Sequence, residues 1–270
     1  MLRFMSLYRK VKELLESGII GRITGVSHQE FVGIDRMLHT FVRGYWNRAD
    51  MAAPSFVSKC CHDVDMLLWA TGAKIKQVQS AGSLAWYRPE NAPEGSTERC
   101  IDCPVEPHCS YSAVDMYLRR GVWTRNFPVP DGKTLEEVLE EQMRTGRFGR
   151  CAFRCDNDVA DRQLVTLTAT DGMLLTIEMN ALTRREGRET VISGTRGELL
   201  VSGQVIGVRD RSGSLIQTLD FSPEAALPYH AYADLLLVED FIRAVATPER
   251  FPAVTLDDSL ESHRICFLAG

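Results

Sequence analysis

Four short stretches of this sequence hold residues able to do chemistry. In Ser58-Lys59-Cys60-Cys61-His62-Asp63-Val64-Asp65, a helix sets Lys59 three residues and Ser58 four residues ahead of His62, on one face. Imidazole titrates near neutrality and a nearby ammonium lowers its pKa, so His62 beside Lys59 reads as a general acid/base pair. The run Cys100-Ile-Asp-Cys103-Pro-Val-Glu-Pro-His-Cys109 offers three thiols spaced like part of a structural zinc site. Cys155 is the candidate fourth ligand, with Cys151 and His108 as alternatives. Arg43-Gly-Tyr-Trp46-Asn-Arg48 joins fork donors to a flat aromatic, a combination suited to sugar hydroxyls. Asp156, Asn157 and Asp158 precede a strand, where they form a solvated turn or line a cleft mouth in contact with substrate.

The elements that must hold these groups follow from periodicity. Phe4, Leu7, Val11, Leu14 and Leu15 fall at helical spacing, and Gly18 can end that helix. Residues 22–32 predict a strand, 37–48 an irregular aromatic segment, and 74–84 another strand. Between them, Val57, Cys60, Cys61, Val64 and Leu68 predict a helix over 56–71, stopped by Gly72. Residues 85–150 read as a Cys-containing insertion with short helices near 111–119 and 134–145. From 161 to 220, β-rich runs split by Gly or Asp predict a meander of antiparallel strands, and helices over 232–245 and 257–268 close the chain. This order predicts an α+β fold over 1–270 as a single domain: an open, largely antiparallel sheet with helices on one face.

Composition narrows the function. The 270 residues carry 31 Lys plus Arg against 36 Asp plus Glu, a formal charge of −5, with 44% hydrophobic residues. That balance argues against nucleic acid and anionic membrane as partners, and no apolar run reaches the roughly 20 residues of a membrane span. The opening MLRFMSLYRKVKELLESG mixes charge with hydrophobe unlike a signal peptide, so the expected location is cytoplasmic. No G-x-G-x-x-G loop follows a strand, so no nucleotide-binding domain is expected in this chain.

Taken together, LRFMSLYRKVKELLESGIIGRITGV, RGYWNR, SKCCHDVDMLLWATG, the cysteine-bearing stretches and ISGTRGELLV resemble the C-terminal domain of Gfo/Idh/MocA-type oxidoreductases. The resemblance implies an NAD- or NADP-binding Rossmann domain in a full-length parent, with this chain a fragment or a natural variant without that domain, and hydride transfer to or from a sugar or polyol. It matches His62 to the family's active-site histidine, sets Ser58 where the family has an Asp, and makes Asp65 structural. It implies a homodimer or tetramer formed through the sheet. Two other expectations stay open: NAD-dependent glycoside hydrolysis, and a non-catalytic binding or oligomerisation module. Without a Rossmann domain the chain alone is expected to be inactive, since hydride transfer needs the nicotinamide held against the substrate carbon.

Overall fold

The computed structural model describes residues 1–247 and 249–270. A turn at Leu2–Phe4 leads into helix α1 (Ser6–Glu16), whose Leu7, Val11, Leu14 and Leu15 are buried at the spacing of one helical face. Strand β1 (Ile23–Phe31) follows, then α2 (Ile34–Arg36), α3 (Ser55–Thr71) and β2 (Ile75–Ser83). Gly72 closes α3 at φ 71°, donating its N–H to the Leu68 carbonyl, a left-handed cap that glycine adopts without a Cβ clash. After the insertion, which carries α4 (Leu135–Arg144), come β3 (Arg162–Ala169), β4 (Leu174–Asn180), β5 (Gly187–Gly194), β6 (Gly197–Ser202), β7 (Val205–Asp210) and β8 (Leu215–Asp220). Single turns α5 (Ser222–Ala225) and α6 (Pro228–Ala231) precede α7 (Ala233–Ala246) and α8 (Leu256–Ala269).

All eight strands form one open sheet in the order β2-β3-β4-β1-β5-β6-β7-β8. Every neighbouring pair is antiparallel except β1 with β4, which run parallel from Gly25↔Leu174 to Phe31↔Asn180. The expected meander is therefore interrupted, because β1 is inserted between β4 and β5. Side chains alternate across each strand. On one face Val26, Val165, Leu167, Leu175, Ile177, Ile192, Leu199 and Val208 join a core with α1, α3 and α8. The opposite face presents Leu164, Thr166, Leu174, Thr176 and Leu200, with Leu164 and Leu174 about half exposed.

Two segments differ from the sequence expectation. Residues 37–48 do not stay irregular: α2 continues into a π-helical turn over Met37–Val42, burying Met37, Leu38, Phe41 and Val42. The helix expected near 111–119 is a π-helical turn at Val114–Arg119. Residues 84–161 fold as linked turns around α4. They are pinned to the sheet by Asp161, whose buried carboxylate accepts the N–H groups of Ala85 (3.0 Å) and Trp86 (2.7 Å). Among the described residues no helix is long and apolar enough to cross a membrane.

Candidate functional site

The site is built where α3 crosses the end of β1. In β1 the alternation that buries Val26 also turns His28 and Glu30 inward, and both are 1% exposed. The β1–β5 register sets Glu30 opposite Arg188 and His28 opposite Thr190. From above, α3 contributes Lys59 and, one turn later, Asp63. The result is a closed chain of charge. Lys59 Nζ lies 2.8 Å from Glu30, Arg188 Nε lies 3.2 Å from Glu30 and also binds Asp63, and Asp63 lies 3.3 Å from His28 Nε2. His28 Nδ1 meets Thr190 Oγ1 at 2.8 Å.

Burial alone would raise Asp63, but the Arg188 guanidinium and the His28 contact hold it well below the usual carboxylate range. Glu30 moves the other way: burial and the Asp63 charge push its carboxyl up, with Arg188 and Lys59 opposing. The cluster thus sets two cations against two carboxylates in the interior, an arrangement that fixes geometry more than it adds stability.

His62 stands beside this cluster, half-buried. Its Nδ1 is 3.3 Å from Cys61 Sγ, and its Nε2 has no hydrogen-bond partner among the described residues and is not a sealed atom. Burial lowers its pKa; Asp63 opposes that, and Arg188 and Lys59 lower it further. The imidazole is therefore held neutral, with one nitrogen free to take a proton. Asp65, on the next turn, is engaged by the Arg3 guanidinium (Nε at 2.9 Å), which ties α3 to the start of the chain.

The remaining expected site residues form a second group. Arg43 is 1% exposed and donates from Nε to the Arg150 carbonyl (2.8 Å) and from Nη2 to the Tyr111 carbonyl (2.7 Å). Asp156 pairs with Arg150 at 2.7 Å and accepts from Asn47 Nδ2 at 3.3 Å. Asp158 accepts the Ala49 N–H at 2.7 Å, and the buried Asn157 donates to the Tyr87 carbonyl at 3.4 Å. Those contacts stitch residues 43–49 to 147–158 and leave Trp46, half exposed, and its neighbour Tyr45 facing solvent. No hydrogen bond or ion pair among the described residues joins this group to Lys59 or His62. An open cleft of about 600 Å³ includes Asp158, and another of about 510 Å³ lies beside Trp69 and Gly72; neither includes Lys59 or His62.

The thiols differ from expectation. Cys100, Cys103 and Cys109 share a small cavity with Cys151, whereas Cys155 turns away and its Sγ meets the Cys151 carbonyl at 3.3 Å. The four-residue spacing aligns two side chains on an α-helix, but here a 3₁₀ turn at Ala152–Arg154 separates them. No three His, Cys, Asp or Glu side chains already stand at metal-ligating spacing among the described residues.

Nor do the described residues fit a dinucleotide. Such a cradle needs a βαβ unit with consecutive parallel strands and a glycine turn at the helix start. The one parallel pair here, β1 and β4, is not consecutive in the chain. His28 and Glu30 carry a sequence signal, polar residues at alternate positions of GVSHQEF that share the buried face with Val26, whereas Asp63 and Arg188 carry none of this kind.

Comparison with known proteins agrees with this architecture. Residues 8–105 match the family model described as the GFO/IDH/MocA C-terminal domain. An oxidoreductase named YteT from Bacillus subtilis (strain 168) is 27% identical over 203 residues, covering 73% of this chain and 46% of that protein. The chain thus spans about half the length of that relative. An oxidoreductase domain protein from Kribbella flavida superposes at TM-score 0.60 with 15% identity, over 98% of this chain and 61% of its own. Scyllo-inositol dehydrogenase from Lactobacillus casei, solved with NAD(H) and scyllo-inositol, superposes at 0.55 with 16% identity, over 99% of this chain and 59% of its own. Residues 8–105 therefore match the GFO/IDH/MocA C-terminal domain in sequence, and the chain as a whole resembles these solved oxidoreductases in fold.

Proposed function

We propose that this chain is the substrate-binding part of an NAD(P)-dependent oxidoreductase acting on a CH–OH group of a sugar or polyol. One observation carries the reading: a neutral, half-buried His62 with a free Nε2, braced on α3 next to a buried charge cluster. The named ligands of the Lactobacillus casei dehydrogenase, NAD(H) and scyllo-inositol, support the substrate class.

The chain's own part is proton handling and orientation. His62 Nε2 accepts the hydroxyl proton as the alcohol carbon is oxidised, and returns it in the reverse direction. Lys59 is fixed by Glu30 through one N–H, which leaves its other donors for substrate hydroxyls. That bond also aims the ammonium, whose charge adds to burial in lowering the His62 pKa. A bound nicotinamide would supply the hydride acceptor.

The test uses the full-length parent with NAD or NADP and a panel of polyols. Reduced cofactor should form with at least one of them, and His62→Ala should lower kcat by roughly 10²–10⁴-fold, the usual contribution of a general base. Unchanged turnover in His62→Ala removes the proposal. Release of free sugar from an aryl glycoside without net cofactor reduction replaces it with glycoside cleavage.

A further inference from the structure

We propose that Cys100, Cys103, Cys109 and Cys151 hold one zinc ion, with Arg43 as its buried counter-charge. The inference is independent of the reaction proposed above.

The first observation is the cavity. The four thiols line a single space of about 10 Å³, room for one atom-sized guest, whose remaining wall is mostly apolar and includes Phe153. They come from segments far apart in sequence that the backbone holds together. An isolated antiparallel bridge pairs Arg99 with Arg150 and so ties the segment bearing Cys100 to the segment bearing Cys151. The Cys151 N–H bonds the Glu98 carbonyl at 2.9 Å, and tight turns fix Cys103 (N–H to the Cys100 carbonyl, 3.3 Å) and Cys109 (N–H to the Glu106 carbonyl, 3.0 Å).

The second observation is Arg43. A guanidinium stays charged in any protein environment, and a buried charge needs an opposite one. Arg43 is 1% exposed, yet it pairs with no carboxylate among the described residues. Its Nη1 has no partner, its Nη2 lies 3.8 Å from Cys100 Sγ, and its other bonds go to neutral carbonyls, one of them on Arg150 next to Cys151. Four neutral thiols do not balance that cation. Four thiolates on a divalent ion do: binding releases four protons, and the resulting zinc tetrathiolate carries two negative charges beside the guanidinium. All-sulfur donors select a soft or borderline ion, and four protein ligands leave no open position, so the site is structural. The sulfurs stand around the space without being drawn to ligating spacing, and rotation about their Cα–Cβ bonds is the movement the ion would impose.

The experiment is elemental analysis of the full chain purified under reducing, anaerobic conditions. About one zinc per chain is expected. Cys103→Ser and Cys151→Ser should each lower occupancy by about tenfold or more, while Cys155→Ser and Cys266→Ser leave it unchanged. Because a ligand variant can fail to fold, the wild-type chain is also stripped and titrated with cobalt(II). Intense thiolate-to-cobalt charge transfer with tetrahedral ligand-field bands, displaced by one equivalent of zinc, supports the site. Metal-free but folded protein with no cobalt spectrum overturns it. So does a disulfide among the four, acid-labile sulfide accompanying iron, or loss of metal in Cys155→Ser but not in Cys151→Ser.

Discussion

Replacing Arg188 with Met should expose how the interior beneath His62 is held. Among the described residues Arg188 is the one cation that touches both Asp63 and Glu30, and those carboxylates are 0% and 1% exposed. At 3.2 Å and an effective dielectric of about 20, Coulomb's law gives about 5 kcal/mol for the contact with Glu30 alone. Methionine saves the desolvation of the guanidinium, so the net loss is smaller: about 3–5 kcal/mol, the usual cost of removing one partner from a buried pair. For a chain of this size that lowers the melting temperature by roughly 6–20 °C. The loss should depend on pH in a definite direction. Asp63 is depressed in the folded state, so its contribution is present above its unfolded pKa and is lost as pH falls through its folded pKa. Without Arg188 that contribution disappears. The gap between wild type and variant in urea denaturation should therefore be widest near neutrality and narrow below about pH 4. Adding Asp63→Asn to Arg188→Met should recover part of the loss. A gap under about 1 kcal/mol, a gap indifferent to pH, or no recovery in the double variant refutes the reasoning.

The His62 imidazole, followed by NMR titration of labelled protein, should titrate below the free-histidine range, and Lys59→Met should move it upward because the ammonium charge is removed; a wild-type value above that of free histidine contradicts the proposed role. The open sheet face, with Leu164 and Leu174 about half exposed, is expected to pair with a second copy. Light scattering at micromolar concentration should give a dimeric mass, and Leu174→Arg should reduce it to a monomer; a monomeric wild type removes that expectation.

The element types were legible because each carries a local period. Val57, Cys60, Val64 and Leu68 mark one face of α3, and Gly72 ends it at the expected residue. The π turn after α2 was hidden, although Met37, Leu38, Phe41 and Val42 have helical spacing, because the glycine and aromatics of RGYWN dominate the surrounding window. The parallel β1–β4 pairing was not legible at all, since it joins residues whose local patterns say nothing about each other. His62 and Lys59 were found from spacing, but their surroundings were not: the partner of Lys59 lies in a strand 29 residues earlier and that of Asp63 in a strand 125 residues later. Arg43, expected in a sugar pocket, is instead enclosed beside the cysteines, because the strength of a guanidinium as a donor suits carbonyls and thiolates as well as hydroxyls.

The place of β1 in the sheet has a consequence for how the polypeptide is made. Gln29 and Glu178, neighbours in the finished sheet, are separated by 149 residues of chain. A ribosome adding roughly 5–20 residues per second therefore leaves β1 without either flanking strand for about 7–30 seconds. Over that interval α1 and α3 can coil, yet they have no sheet to lie on, and Glu30 waits for its arginine. Nascent chains halted before residue 187 should remain protease-sensitive throughout, and those halted well beyond residue 194 should become resistant in a single step.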